Sequence, residues 1–272
     1  MPDASPPALG RVLIIAGSDS GGGAGVQADI KTVTALGGHA ASAITAITVQ
    51  NTLGVFRVHE LPPDLVTAQA RAVLDDIGAD AIKTGMLGGL EMVEAVARVL
   101  DEASGVPAVI DPVMVAKGGA LLMGAGGADA IRRLLVPRAA LLTPNAPEAE
   151  ALTGLRVVSL DDQRRAGEAL LKAGAGAVLV KGGHVAGDRV VDLLITPVGE
   201  TVFEGPRLDT RHTHGTGCTL ASACATGLAQ GLDLTDAVAR AWAYTGEAIR
   251  RAPGLGAGHG PLDHAWPMRK SP

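Results

Sequence analysis

The sequence predicts an α/β fold of three αβα layers, a mostly parallel central sheet with helices on both faces. Two observations carry this expectation. Short apolar runs alternate with helical stretches along most of the 272 residues, the pattern of a sheet covered on both sides. Polar or glycine-rich residues then fall where those runs end: Gly17, Thr84-Gly85-Met86, Asp111, Thr143-Pro144-Asn145 and Lys181-Gly182-Gly183. In open α/β sheets ligands bind beyond the carboxyl ends of the strands, so these positions are the ones to watch.

Taken in order, 11–16 is a buried strand running into a glycine cluster, and 26–36 is helical until Gly37-Gly38 ends it. Residues 40–49 form a β-branched run, and 55–60 reads as another strand. A helix is predicted over 63–77, with apolar Leu65, Val66, Val73 and Leu74. Strand, helix and strand follow at 79–83, 91–102 and 108–111. The alternation continues with a helix over 128–135, a strand over 139–143, a helix over 161–173 and a strand over 177–181. Neighbouring strands are expected at 190–195 and 201–203, and two closing helices at 216–230 and 234–251. With no low-complexity linker and no internal repeat, a single domain is expected over 11–265, with loose tails at 1–10 and 266–272.

The chain is 47% hydrophobic and 19% charged, enough to bury a sizeable core. Its net charge of -5 argues against a nucleic-acid partner. It does not exclude phosphate ligands, which helix N-termini hold without net positive charge. Cys218 and Cys224, six apart on one predicted helix, point in directions roughly 120° apart, which disfavours a disulfide. No C-x-x-C pair exists, and a reducing cytoplasmic setting fits. The uncharged stretch 32–56 is broken by glycine and polar residues and is not read as a membrane span. The N-terminal residues do not read as a signal peptide.

Four groups of residues carry chemistry. Gly17–Gly25 (GSDSGGGAG) follows a strand and holds five glycines in nine residues. It fails the dinucleotide fingerprint in spacing, and no acidic residue lies between Asp29 and Glu60 to meet a ribose. No Gly-Lys-Ser/Thr occurs either. What remains is a strand-to-helix turn or a loop whose backbone can approach a ligand. The second group is His214-Gly215-Thr216-Gly217-Cys218, where glycines bare amides at a helix start. That is an anion site of the kind a transferring phosphoryl group needs, and its electropositive end favours a Cys218 thiolate. The same segment reads equally as a glycine-rich helix start with a buried cysteine. The third group is Asp111, Asn145, Glu148 and Lys181, oxygen ligands suited to magnesium and a lysine suited to phosphate. The fourth is Asp29 and Gln50, the latter able to donate and accept towards an aminopyrimidine edge, with Met86 available against a ring face. The seven histidines suggest no transition-metal site.

Ala16–Thr32, Val49–Thr52, Ile82–Leu87, Asp111–Gly119, Thr143–Glu150, Val180–His184 and Thr213–Ala223 occur in order over nearly the whole chain. Together these motifs resemble the hydroxymethylpyrimidine/phosphomethylpyrimidine kinases of thiamine biosynthesis, in the ribokinase-like superfamily. The resemblance implies a homodimer and two successive ATP-dependent phosphorylations, of 4-amino-5-hydroxymethyl-2-methylpyrimidine and then of its monophosphate. It implies ATP and Mg2+ as cofactors and leaves room for a monovalent cation. By motif position, Gly17, Asp29, Gln50, Met86 and Val113 would line the pyrimidine site. Asp111, Asn145, Glu148 and Lys181 would serve magnesium-ATP, with Asp111 and Glu148 meeting the metal, in part through water. Gly215, Thr216 and Gly217 would form the anion hole, and Cys218 would accept the hydroxyl proton. Gly21 stands where that family usually has serine, which puts a hydroxyl contact in question. The alternatives are a pyridoxal kinase of the same superfamily and a non-catalytic vitamin- or nucleotide-binding regulator. No membrane or nucleic-acid partner is expected, and a loop at 116–127 could close over substrate.

Overall fold

The computed structural model describes residues 9–114, 124 and 126–269. The expected closing loop lies mostly outside the described residues. The chain forms β1 (Arg11–Ser18), α1 (Gly25–Ala35), β2 (His39–Asn51), β3 (Gly54–Glu60), α2 (Pro63–Asp76), β4 (Ala81–Thr84), α3 (Leu90–Glu102) and β5 (Ala108–Ile110). It continues with α4 (Gly127–Ala130), β6 (Leu141–Leu142), α5 (Ala146–Thr153), α6 (Leu160–Lys172), β7 (Val178–Val180), β8 (Arg189–Thr196), β9 (Gly199–Pro206), α7 (Thr216–Ala229) and α8 (Leu234–Arg250).

Among the described residues the strands lie in one sheet in the order β3-β2-β1-β4-β5-β6-β7-β8-β9. Strands β2, β1, β4, β5, β6 and β7 run parallel. The antiparallel β3 closes one edge and the β8–β9 hairpin the other. Strand periodicity sorts the core into two layers. Leu13, Ile15, Ile82, Ile110 and Leu142 face α2, α3, α5 and α6 through Val66, Val93, Leu152 and Leu170. Their neighbours Val12, Ile14, Ala81, Val109 and Leu141 face α1, α7 and α8 through Val33, Leu220 and Val238. The valine, leucine and isoleucine side chains among these each contribute about 1.5–3 kcal/mol on burial. The three-layer expectation is thus what the chain builds.

Two boundaries differ from expectation. The helix expected over 128–135 is one α-turn followed by a π-helical turn at Ile131–Leu135. The C-terminal tail does not start at 266. The Trp266 ring packs 5.9 Å from that of Tyr244, its indole donates to the Tyr244 carbonyl (3.2 Å), and Arg251 lies over it. A bulky amphipathic ring with a partner for its N–H is worth burying even at a chain end.

The parallel strands all present their carboxyl ends on one side of the sheet. That geometry collects the loops after β1, β4, β5, β6 and β7 beside the N-terminus of α7.

Candidate active site

The loop after β1 is organised by Asp19, which the sequence reading passed over. One of its carboxylate oxygens accepts from the Gly21 amide (2.8 Å), the other from the Gly23 and Ala24 amides (3.1 and 2.8 Å). These amides are therefore committed to a side chain and do not wait for a phosphate. An aspartate two residues before a glycine is an Asx-turn signature, and that signal was available. Gly25 closes the loop on β1: with φ of 56°, a Cβ there would stand 2.3 Å from the Gly17 carbonyl oxygen. At Gly21 a serine Cβ would face Asp19 and the Asn51 backbone, 3.1 and 3.5 Å away.

The second loop is the start of α7. Gly215 has φ of 85°, and a Cβ there would lie 1.8 Å from the Gly23 carbonyl oxygen, so the two glycine loops touch. Among the described residues no side chain caps α7, which leaves the amide end of a 14-residue helix available to an anion. Gly217 faces the third group. Its missing Cβ would sit 3.2 Å from Lys181 Nζ and 3.5 Å from Asp111 Oδ2. The start of α7 and the charged strand ends therefore meet at one point, across a gap that any side chain would fill.

Lys181 holds that group together. Its Nζ donates to Asp111 Oδ1 (2.9 Å) and lies 3.9 Å from Glu148, and Thr143 also donates to Asp111 Oδ1 (3.1 Å). Asn145 and Glu148 form a capping box at the start of α5, each side chain accepting from the other's amide. Desolvation pushes the Glu148 carboxyl up to about 7, with Lys181 opposing and Asp111 adding to the shift. Burial works against the Lys181 ammonium, but Asp111 and Glu148 outweigh it and hold it charged.

The expected pyrimidine-lining residues separate. Gly17 and Met86 come together: a Cβ on Gly17 would be 2.3 Å from the Met86 methyl, whose backbone is tied to Thr45 (2.6 Å). Gln50 is fastened to the first glycine loop through a reciprocal pair with Ser20, whose hydroxyl donates to the Gln50 carbonyl and accepts from its amide. Val113 lies just past β5, its amide turned back to the Asp111 carbonyl. Asp29 does not join them. It has no exposed surface, and both its oxygens lie 2.8 Å from Lys83 Nζ, with Ser222 donating to Oδ1. A carboxylate in the interior needs such partners. The sequence motifs do not single out Lys83, although a lone charge inside the strand Ala81–Thr84 is a visible anomaly.

Cys218 is also corrected in one respect. It keeps some exposure, but desolvation pushes its thiol up to about 11. Lys83 and the Gly25 amide pull it down, and Asp29 and Asp111 push it further up. The helix end alone does not make it a thiolate. Neither cysteine is in a disulfide.

Two further features surround the site. A cleft of about 570 Å³ is lined by residues that include Gly183, Asp188, Arg207, Thr210 and Thr213. Arg207 shapes it by donating to the Gly183, Val185 and Gly187 carbonyls. On the other side, the C-terminal segment straps the site together. Pro261 bridges to His214, the His259 amide donates to the Thr52 carbonyl (2.8 Å), and His264 meets Thr219 on α7 (3.0 Å). No group of three or more metal-ligating side chains occurs among the described residues, and no helix there is long and apolar enough to cross a membrane.

The profile of the phosphomethylpyrimidine kinase family matches residues 19–263. A hydroxymethylpyrimidine/phosphomethylpyrimidine kinase of Streptomyces coelicolor is 51% identical over 267 residues, 98% of this chain and 97% of the relative. A phosphomethylpyrimidine kinase structure from Clostridium difficile is 40% identical with a TM-score of 0.79, covering 88% of this chain and 99% of the other. The pyridoxal kinase of Staphylococcus aureus, solved in complex with AMP-PCP and pyridoxal, is 35% identical with a TM-score of 0.87, covering 95% and 94%.

Proposed function

Because the chain belongs to the phosphomethylpyrimidine kinase family, we propose that it phosphorylates 4-amino-5-hydroxymethyl-2-methylpyrimidine with ATP. It then phosphorylates the monophosphate to the diphosphate used to build thiamine. The observation that carries this reading is the meeting at Gly217 of an uncapped helix start, a charged lysine and Asp111. Phosphoryl transfer needs little from a protein beyond position and charge stabilisation, and this point offers both.

Each group then has a task. The amides of Gly215, Thr216 and Gly217 receive the transferring phosphoryl group, and Lys181 offsets its charge. The cleft beside Gly183 and Thr213 takes the base and sugar of ATP. Gly17, Gln50, Met86 and Val113 hold the pyrimidine. Asp29 acts beneath them through Lys83, without touching the ring.

Asp111 and Glu148 fit magnesium. Two buried carboxylates share one lysine, so the side chains here carry more negative than positive charge. Two acids and an asparagine suit a magnesium held mainly by water and ATP phosphates, not by a cage of side chains. When bound, the ion would neutralise charge on the phosphates. Asn145 keeps Glu148 turned inward for it.

In the first transfer the acceptor's hydroxyl oxygen bonds to the γ-phosphorus, and the bond from phosphorus to ADP breaks. The hydroxyl proton passes to Cys218. A thiol cannot take that proton, so the reactive form is the thiolate, which Lys83 favours. In the second transfer the acceptor is an ionised phosphate and needs no base.

A homodimer in the cytoplasm completes the proposal. The β2–β3 flap exposes Ile47, Val49, Leu53, Phe56 and Val58, more apolar surface than a solvated edge normally shows. Because the pyridoxal kinase neighbour is so similar in fold, pyridoxal is the control that matters. ADP release is to be measured with the pyrimidine, its monophosphate and pyridoxal side by side. Turnover of both pyrimidines above pyridoxal supports the reading. Turnover of pyridoxal alone would replace it with pyridoxal kinase, and turnover of none would point to a binding protein.

A further inference from the structure

His214 precedes the anion loop, and its ring lies against the first glycine loop. Its Nε2 stands 2.8 Å from Asp19 Oδ2 and 3.2 Å from the atom placed as the Gln50 side-chain nitrogen. The His214 and Asp19 side chains are 12% and 4% exposed, so water cannot easily substitute for these partners. Burial would raise the Asp19 carboxyl, but the His214 contact and the Gly21 and Ala24 amides outweigh it and hold it low. Asp19 is thus ionised and can only accept.

A bare Nε2 would set a lone pair against a carboxylate at 2.8 Å. Nε2 therefore carries the proton. The Gln50 atom at 3.2 Å must then be an acceptor as well, because an NH2 group there would put donor against donor. Carboxamide oxygen and nitrogen differ only by a flip of the group. The satisfied arrangement has the Gln50 carbonyl shared on His214 Nε2–H and the NH2 turned away. The Ser20 pair already fixes the Gln50 backbone, so the whole residue is held in one orientation before ligand arrives.

We propose that Asp19 and His214 are positioning residues that set the polarity of Gln50, so that its NH2 group faces the acceptor pocket. This rests on the reading of Gln50 as a pyrimidine-lining residue. Gln50 so held selects rings that offer a bare nitrogen, as the aminopyrimidine does. It rejects the 4-oxo analogue, 5-hydroxymethyl-2-methylpyrimidin-4-one, whose ring N–H would meet a donor. A site left with mismatched polar groups can discriminate by orders of magnitude.

Two measurements on the full chain test this. Histidine-selective 15N NMR of the ligand-free protein, assigned by comparison with His214→Leu, is expected to show His214 protonated at Nε2. An unprotonated Nε2 overturns the proposal without any reference to turnover. Steady-state kinetics with both pyrimidines is expected to show wild type preferring the amino compound by about 100-fold or more in kcat/KM. In His214→Leu and Asp19→Asn that preference falls at least about tenfold. The loss comes through KM for the amino compound, with kcat within about threefold. Unchanged discrimination in variants that still turn over overturns the proposal. Wild type acting on neither pyrimidine overturns the acceptor reading itself, and the proposal with it.

Discussion

Lys83 Nζ lies 2.8 Å from both carboxylate oxygens of Asp29, and neither side chain has any exposed surface. Burial alone would discharge the lysine, but Asp29, together with Cys218 and Asp111, outweighs it and holds Lys83 protonated. Removing one partner strands a charge in the core. Lys83→Met is therefore expected to cost about 3–5 kcal/mol in urea denaturation. The double variant Lys83→Met/Asp29→Leu should recover part of that loss, because apolar pairs of similar volume replace buried ion pairs well. A single variant within about 1 kcal/mol of wild type would contradict the pairing.

Gly217 and Gly215 should respond differently to alanine. At Gly217 a methyl would press on Lys181 and Asp111 inside a helix that accepts alanine. Thermal stability should hold while kcat falls about 10- to 100-fold. At Gly215 the methyl meets the Gly23 carbonyl at 1.8 Å with φ of 85°. There the cost should appear in stability, about 2 kcal/mol or more. A Gly217→Ala protein with full activity would remove the anion loop from the chemistry.

Cys218 predicts a split between the two phosphorylations. Its thiol is pushed up to about 11, so the thiolate grows about tenfold per pH unit below that value. The kcat/KM for the hydroxymethyl substrate should climb with pH from 7 to 9. The second transfer should lack this slope. Cys218→Ala should flatten the first profile and slow the first step far more than the second. Equal loss in both steps would sink the assignment.

His264 ties stability to pH. Burial holds it neutral, pushed down to about 4, with Lys31 and His214 acting in the same direction. Its folded pKa lies below the unfolded value of about 6.5, so the unfolded chain binds the proton more tightly. The stability it contributes is complete above about pH 6.5 and is lost as pH falls towards 4, by about 3 kcal/mol. Urea midpoints of wild type and His264→Gln between pH 7 and 4 measure this. Parallel curves would contradict it.

The sheet and the strand-end residues were legible because each depends on local sequence. An apolar run that stops at Asp111 or Lys181 announces both the strand and the place where it ends. Asn145 and Glu148 likewise sit in a capping box four residues long. What was not legible depends on contacts between distant segments. Asp19 and His214 lie 195 positions apart and meet because α7 packs in the same core layer as α1 and β1, with Pro261 bridging to His214. Asp29 looked like a ligand-facing acid because nothing local reveals that Lys83 and Ser222 enclose it. The cleft beside Gly183 depends on Arg207 gathering three carbonyls across the 183–187 turn. The Cys218 thiol shows the limit of a helix-end argument, since burial outweighs the dipole once the fold closes around it.

The two-step claim is tested most directly by a phosphorus NMR time course. The protein is given 4-amino-5-hydroxymethyl-2-methylpyrimidine and excess magnesium-ATP. The account predicts a monoester resonance that rises first and then falls as the paired resonances of the pyrimidine diphosphate grow, with ADP released at each stage. ATP left intact, or phosphorus never appearing on the pyrimidine, would contradict it.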